Sequence, residues 1–152
     1  MGFSKLNFPN IELKTKLTSG ILEVFDVVRN KYVKLTSEEW VRQHCINYLH
    51  MHKQYPYGLM SVEKVVKYNN LSFRADIVIY NNLAKPYMIV ECKSPDVNLS
   101  KNTLYQIAKY NSSLSVKYLL ITNGLEHYCC EIDYKSFSIS LMKNIPNFNK
   151  AH

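Results

Sequence analysis

From Leu59 to Lys93 the chain reads almost entirely as strand, and that stretch limits the fold more than any other feature. Leu59–Tyr68 and Leu71–Tyr80 flank Asn69-Asn70, a pair that tolerates the left-handed conformations of a two-residue hairpin turn. A third strand, Tyr87–Lys93, follows a turn at Asn81–Pro86. Ahead of this block the pattern predicts a helix from Ser37 to about His52, and Thr36 with Glu39 has the spacing of a capping box. Behind it, Leu99–Asn111 reads as a second helix with Leu104, Ile107 and Ala108 toward the core. Val116–Thr122 is a buried strand ending at Asn123-Gly124. Hairpins are expected at both ends. One joins Ile21–Val28 to Tyr32–Leu35, and the other joins Glu126–Asp133 to Phe137–Leu141. The expectation is an α/β domain with a mixed central sheet flanked by helices. Its order is helix, three strands, helix, strand. Residues 1–20 read as an N-terminal arm, 21–146 as a single domain and 147–152 as a loose tail.

Length and charge narrow the function. A chain of 152 residues suits one domain, and its 47% hydrophobic content can build a core. It has no run of about 18 apolar residues and no apolar stretch near Met1, so a cytoplasmic protein without a membrane span is expected. The four cysteines include the adjacent pair Cys129-Cys130 and no C-x-x-C, which argues against both a disulfide framework and zinc. The net charge is +7. Residues 1–70 carry ten basic and six acidic groups, and residues 71–152 carry nine and six. A spread excess of this kind suits a polyanionic partner such as DNA.

Chemistry concentrates at the end of the third strand. Residues two apart on a strand share a face, so Glu91 and Lys93 point the same way, as do Arg74, Asp76 and Val78 on the strand before. Fourteen residues separate Asp76 from Glu91, enough to finish one strand, turn and return alongside. Phosphodiester hydrolysis needs a hard cation to polarise phosphate and acidify a water. Asp76, Glu91 and the Cys92 carbonyl would offer it oxygen ligands, with Mg²⁺ or Mn²⁺ as the ion. Lys93 would then hold and help deprotonate the water, or stabilise charge on the phosphate. Acid-x-Lys also occurs at Glu12-Leu13-Lys14 and Asp133-Tyr134-Lys135, but only Glu91-Cys92-Lys93 ends an apolar run. A plain ion pair at the strand end is the competing reading.

The runs Arg74-Ala75-Asp76-Ile77-Val78-Ile79-Tyr80 and Ile89-Val90-Glu91-Cys92-Lys93-Ser94-Pro95 resemble the nuclease domain at the N-terminus of type I restriction enzyme R subunits. This domain belongs to the PD-(D/E)XK superfamily, which also has small free-standing relatives. The segment from Thr36 to His44 and Thr122-Asn123-Gly124 match the same family, so the resemblance covers roughly residues 20–146. It implies a restriction-endonuclease-like fold and magnesium-dependent DNA cleavage, with Asp76, Glu91 and Lys93 at the motif positions. Ala75 stands where the superfamily's name has Pro, at a position that does no chemistry. Gln106 and Tyr110 match a Gln-x-x-x-Tyr motif beside the active site, although both could simply pack within the fold. With Arg74 they are the candidates for touching substrate. No G-x-x-x-x-G-K-[ST] loop is present, so a nuclease unit without an ATPase motor or nucleotide cofactor is expected.

The family also brings an acidic residue from its first helix near the metal. At 100° per residue Glu38 falls in the arc of Val41, Cys45 and Leu49, while Glu39 has a capping role, so Glu38 is favoured. Glu63 is the alternative, although pairing with Lys or Arg on the sheet would also explain it. Two functions stay open: a DNA endonuclease, or an inactive nucleic-acid-binding module of the same fold. A homodimer or association with other restriction-system subunits is compatible with either.

Overall fold

The computed structural model describes residues 2–68, 71–110, 115–136 and 138–149. Among the described residues, two sheets and two helices make up the fold. Strands β1 (Thr15–Thr18), β2 (Ile21–Asp26) and β3 (Lys31–Lys34) form a small antiparallel sheet. Helix α1 (Ser37–Lys53) follows, then a single 3-10 turn at Tyr57–Leu59. The main sheet holds β4 (Met60–Tyr68), β5 (Leu71–Tyr80), β6 (Pro86–Cys92), β7 (Tyr118–Thr122), β8 (His127–Asp133) and β9 (Ser138–Met142) in chain order. All its neighbours are antiparallel except β6 and β7, which run parallel because α2 (Lys101–Tyr110) carries the chain across. The expected order of helix, three strands, helix, strand is the observed one. The turn expected at Asn69-Asn70 lies outside the described residues, as do Asn111 and Phe137, each expected at the end of an element.

Strand alternation sorts the core into two layers. Ile77, Ile79, Met88 and Val90 face Val41, Cys45, Ile46 and Leu49 of α1. Val78, Ile89, Leu119 and Ile121 face Leu104 and Ala108 of α2. With a helix on each face, β7 has no wet side, and its sequence Tyr-Leu-Leu-Ile-Thr is buried throughout.

Both ends of the chain differ from expectation. The first twenty residues do not form an arm. Leu6 and Phe8 are buried in the α1 layer, the Asn7 N–H donates to the Gly124 carbonyl at 2.7 Å, and Thr15–Thr18 is a strand. Gly124 has φ +86, a conformation strained for residues with side chains, and a Cβ there would stand 2.6 Å from Leu6 Cδ2 and push that side chain aside. Nor is the described part of the 147–152 tail, which ends at Asn149, loose against the residues before it. Ile145 is buried, the Tyr55 hydroxyl donates to the Pro146 carbonyl at 2.8 Å, and the Phe148 N–H donates to Lys53 at 2.8 Å. Both segments carry apolar residues that join the α1 layer, a long-range match that local periodicity does not encode.

Candidate active site

Strands β5 and β6 pair as Val78 with Ile89 and Ile77 with Val90. Carried one step further, that register sets Asp76 across from Glu91. The group that links the two carboxylates is Lys93, ion-paired with Glu91 and within the charge of Asp76. The Cys92 N–H donates to Asp76 Oδ2 at 2.7 Å, replacing a ladder bond with a bond to the side chain. Lys93 Nζ lies 2.8 Å from Glu91 Oε1, and its own N–H donates to the Thr122 carbonyl at 2.8 Å. The hydrogen bond with Glu91, aided by the nearby charges of Asp76 and Glu38, holds the Lys93 amine above its ordinary pKa. The Cys92 thiol turns away and is buried, and contact with Cys45 together with burial raises its pKa.

Helix α1 completes the site from the other side. Thr36 caps it by accepting the Glu39 N–H at 3.0 Å. The reciprocal half of the expected capping box gives way to a charge network, because the Glu39 carboxylate accepts from Arg42 Nη1 at 2.6 Å and Arg29 Nη2 at 2.8 Å. Arg42 is 3% exposed, and its Nη2 reaches Asp76 Oδ1 at 2.9 Å, Glu38 Oε1 at 3.2 Å and Glu63 Oε1 at 3.5 Å. Behind Glu39, Arg29 Nε donates to Asp26 Oδ2 at 2.7 Å, and the Gln43 amide donates to both Asp26 and Glu39. Burial alone would raise the Asp26 pKa. The Arg29 N–H and guanidinium, with Gln43, hold it below the ordinary carboxylate value instead. Burial and then the Asp76 charge raise the Glu38 pKa, which places Glu38 within the field of the site.

Glu63 adds a backbone anomaly. The β4–β5 register runs from Val62 opposite Ile77 to Lys64 opposite Ala75, so Glu63 faces Asp76. Its φ is +52, a left-handed conformation in mid-strand that costs a residue with a side chain on the order of 1–3 kcal/mol. Three guanidiniums approach its carboxylate: Arg74 at 3.1 Å, and Arg29 and Arg42 at 3.5 Å.

Residues 37–146 match the family described as type I restriction enzyme R protein N terminus. The chain belongs to that family. The R-protein N-terminal fold is also that of a fragment described as an HsdR subunit of a type I restriction enzyme from Vibrio vulnificus YJ016. The match has 20% identity and a TM-score of 0.50, covering 74% of this chain and 24% of the other. The chain thus spans about a quarter of the length of that relative. No curated protein matches it.

Within this R-protein N-terminal domain, the expected residues Asp76, Glu91, Lys93 and Glu38 come together at one place. Arg74 is 70% exposed on its side chain and binds Glu63 rather than Asp76. Gln106 is exposed on α2, and Tyr110 closes that helix with its side chain outside the described residues. The other two acid-x-Lys triplets stay apart from the site: Glu12 and Lys14 are exposed, and Asp133 accepts the Lys135 N–H in a turn. The helical arc is corrected as well. Glu39 is buried at 5% exposure, while the Glu38 side chain is 46% exposed. The sequence reading missed Arg42, Arg29, Asp26 and Gln43. The one signal it held was Glu38-Glu39 followed at helical spacing by Arg42-Gln43, which puts acids and their partners on one face.

Proposed function

We propose that this domain is a metal-dependent deoxyribonuclease that hydrolyses phosphodiester bonds, with Asp76, Glu91 and Lys93 as its catalytic residues. The observation that carries the reading is Lys93, ion-paired with Glu91 at 2.8 Å and within the charge of Asp76 and Glu38 at the same sheet end. Membership of the R-protein N-terminal family and the shared fold support it.

The donor set suits a hard divalent ion. Among the described residues, five carboxylates (Asp26, Glu38, Glu39, Glu63 and Asp76) share three guanidiniums (Arg29, Arg42 and Arg74), an excess of acid that Lys93 meets only in part because it is ion-paired with Glu91. Glu91 and Lys93 cancel each other. Among the described residues no group of three or more His, Cys, Asp or Glu side chains is gathered as a metal cluster. Magnesium does not need one, since it binds through one or two carboxylates and keeps waters and substrate oxygens as its other ligands. Asp76 and Glu91, with the Cys92 carbonyl, would hold Mg²⁺ or Mn²⁺. Such an ion polarises the phosphate and lowers the pKa of a bound water.

The chain's own groups supply the rest. Lys93 is held protonated by Glu91, so its work is to orient the attacking water and stabilise charge developing on the phosphate, rather than to remove a proton. Cys92 fixes Asp76 through its backbone N–H while its thiol stays in the core. Glu38, with its raised pKa beside Asp76, is placed to accept or hold a proton near the reacting water. Arg74, the most exposed cation near the site, is placed to meet the DNA backbone. Gln106 and Tyr110 of α2 are further substrate contacts. Cutting both strands of a duplex needs two such sites, supplied by a dimer or by other restriction-system subunits.

The test is incubation of the pure protein with plasmid and with single-stranded DNA, in Mg²⁺, in Mn²⁺ and in chelator. Cleavage should require metal, and Lys93→Ala should lower turnover by roughly 10²–10⁴-fold while leaving metal binding intact. Asp76→Ala should lose metal affinity together with activity. A wild-type protein that binds DNA but never cleaves it, under any metal, would favour an inactive binding module of the same fold.

A further inference from the structure

Arg42 does more than balance a neighbouring charge. A buried guanidinium in need of a partner is satisfied by Glu39 at 2.6 Å through Nη1, yet Nη2 extends to Asp76 at 2.9 Å. Asp76 is thereby pinned from two directions, Oδ1 by Arg42 and Oδ2 by the Cys92 N–H, which fixes the plane of its carboxylate. Each oxygen keeps a second lone pair for another ligand. Arg42 is fixed in turn, because Glu39 is clamped by Arg29 and Gln43, and both of these bind Asp26. The Nε of Arg42 is buried with no partner among the described residues, so the side chain accepts an unsatisfied donor to keep its two Nη groups where they are.

We propose that Arg42 is a positioning residue for Asp76, orienting its carboxylate and serving as its counter-charge when no divalent ion is bound. The inference rests on reading Asp76 as a metal ligand. Charge and geometry play separate parts in it. The positive charge keeps Asp76, Glu38 and Glu63 from repelling one another in the metal-free protein. The planar fork, which an ammonium lacks, aims Asp76 while also holding Glu39. Glu63, strained across from Asp76 and 3.5 Å from Nη2, gives the guanidinium a second acceptor when an ion draws on Asp76.

The experiment compares wild type, Arg42→Met, Arg42→Lys and Asp76→Asn by thermal melts with and without Mn²⁺, alongside cleavage kinetics at saturating Mn²⁺. Wild type should gain stability from Mn²⁺, and Asp76→Asn should not. Arg42→Met should melt lower without metal and gain more from Mn²⁺ than wild type, because the ion replaces the missing charge. Arg42→Lys should keep a metal-free Tm near that of wild type. Both Arg42 variants should lose about 10- to 100-fold in kcat with less change in KM, the scale on which residues behind a metal ligand act. Arg42 variants with the wild-type Mn²⁺ shift and wild-type kcat would overturn the proposal. So would failure of both Arg42 variants to fold even in Mn²⁺, because that outcome assigns Arg42 to the scaffold alone. A wild type with no Mn²⁺ shift, or Asp76→Asn with an unchanged one, overturns the metal-site reading instead.

Discussion

The first half of α1 buries charge and the second half buries hydrocarbon. Residues 38–43 place Glu39, Arg42 and Gln43 among partners from β5 and from the chain around Asp26 and Arg29. Residues 45–49 place Cys45, Ile46 and Leu49 in a cluster with Ile77, Ile79 and Val90. Glu39, Arg42 and Gln43 are buried as Cys45, Ile46 and Leu49 are, but by different physics. Hydrocarbon burial is favourable without conditions, at about 25 cal/mol per Å². Buried ion pairs carry a desolvation cost that their attraction offsets only when the geometry is complete, and apolar replacements often match their stability. A folding requirement alone therefore accounts for the second half and leaves the first in need of another reason. The charged half is the one that ends on Asp76.

That contrast can be broken by mutation. The largest effect is expected from Glu39→Ala, which strips a partner from both Arg42 and Arg29 and should cost about 3–5 kcal/mol in a urea titration. A loss below about 1 kcal/mol would mean that water already screens the network. Leu49→Ala, in the dry half, should cost about 2–5 kcal/mol through lost transfer energy and a cavity. Its Mn²⁺-induced rise in Tm should match that of wild type, since no charge changes. A selective loss of that metal response in Leu49→Ala would erase the distinction between the halves.

The acid limb of stability sharpens the comparison. The folded pKa of Asp26 lies below its unfolded value, so its contribution is fully present above about pH 3.9 and is lost as pH falls through the folded pKa. Asp26→Asn should flatten stability against pH in that window. Burial lowers the pKa of His44 and His127 as well, and their contribution declines earlier, as pH drops below about 6.5. The two windows separate in one series of melts. The smallest expected effect is Thr36→Ala, which removes the cap on the Glu39 N–H and should cost about 1 kcal/mol.

The parts of this fold that were legible in the sequence are those with a local cause. Thr36 and the amphipathic run after it mark the start of α1, and apolar alternation marks β5 and β6. The spacing from Asp76 to Glu91 leaves room for one strand to finish, turn and return alongside, as β5 and β6 do. Glu39 was misread because the helical arc was drawn from apolar residues only. At its N-terminal end α1 meets Arg29, Asp26 and Asp76, so beside Val41 its buried face there is lined by charge. The role of Arg42 was hidden for a related reason: Asp76 lies 34 positions away, and nothing in a periodic pattern names a partner at that distance. The seating of Leu6 and Phe8 depends on a groove that exists only once α1 and the main sheet have closed.

The turn after β7 has a mechanical consequence. The Thr122 carbonyl holds the backbone of Lys93, the Gly124 carbonyl holds Asn7, and the Asn123 side chain anchors Val97 at 2.8 Å. The N-terminal strap and Lys93 therefore hang from one bracket, two residues apart. Tension on the chain ahead of Leu6 is shared between that bracket and His127 of β8, whose ring nitrogen lies 2.9 Å from the Asn7 carbonyl, and hydrogen exchange at the Lys93 amide is the gauge that would register the bracket's share.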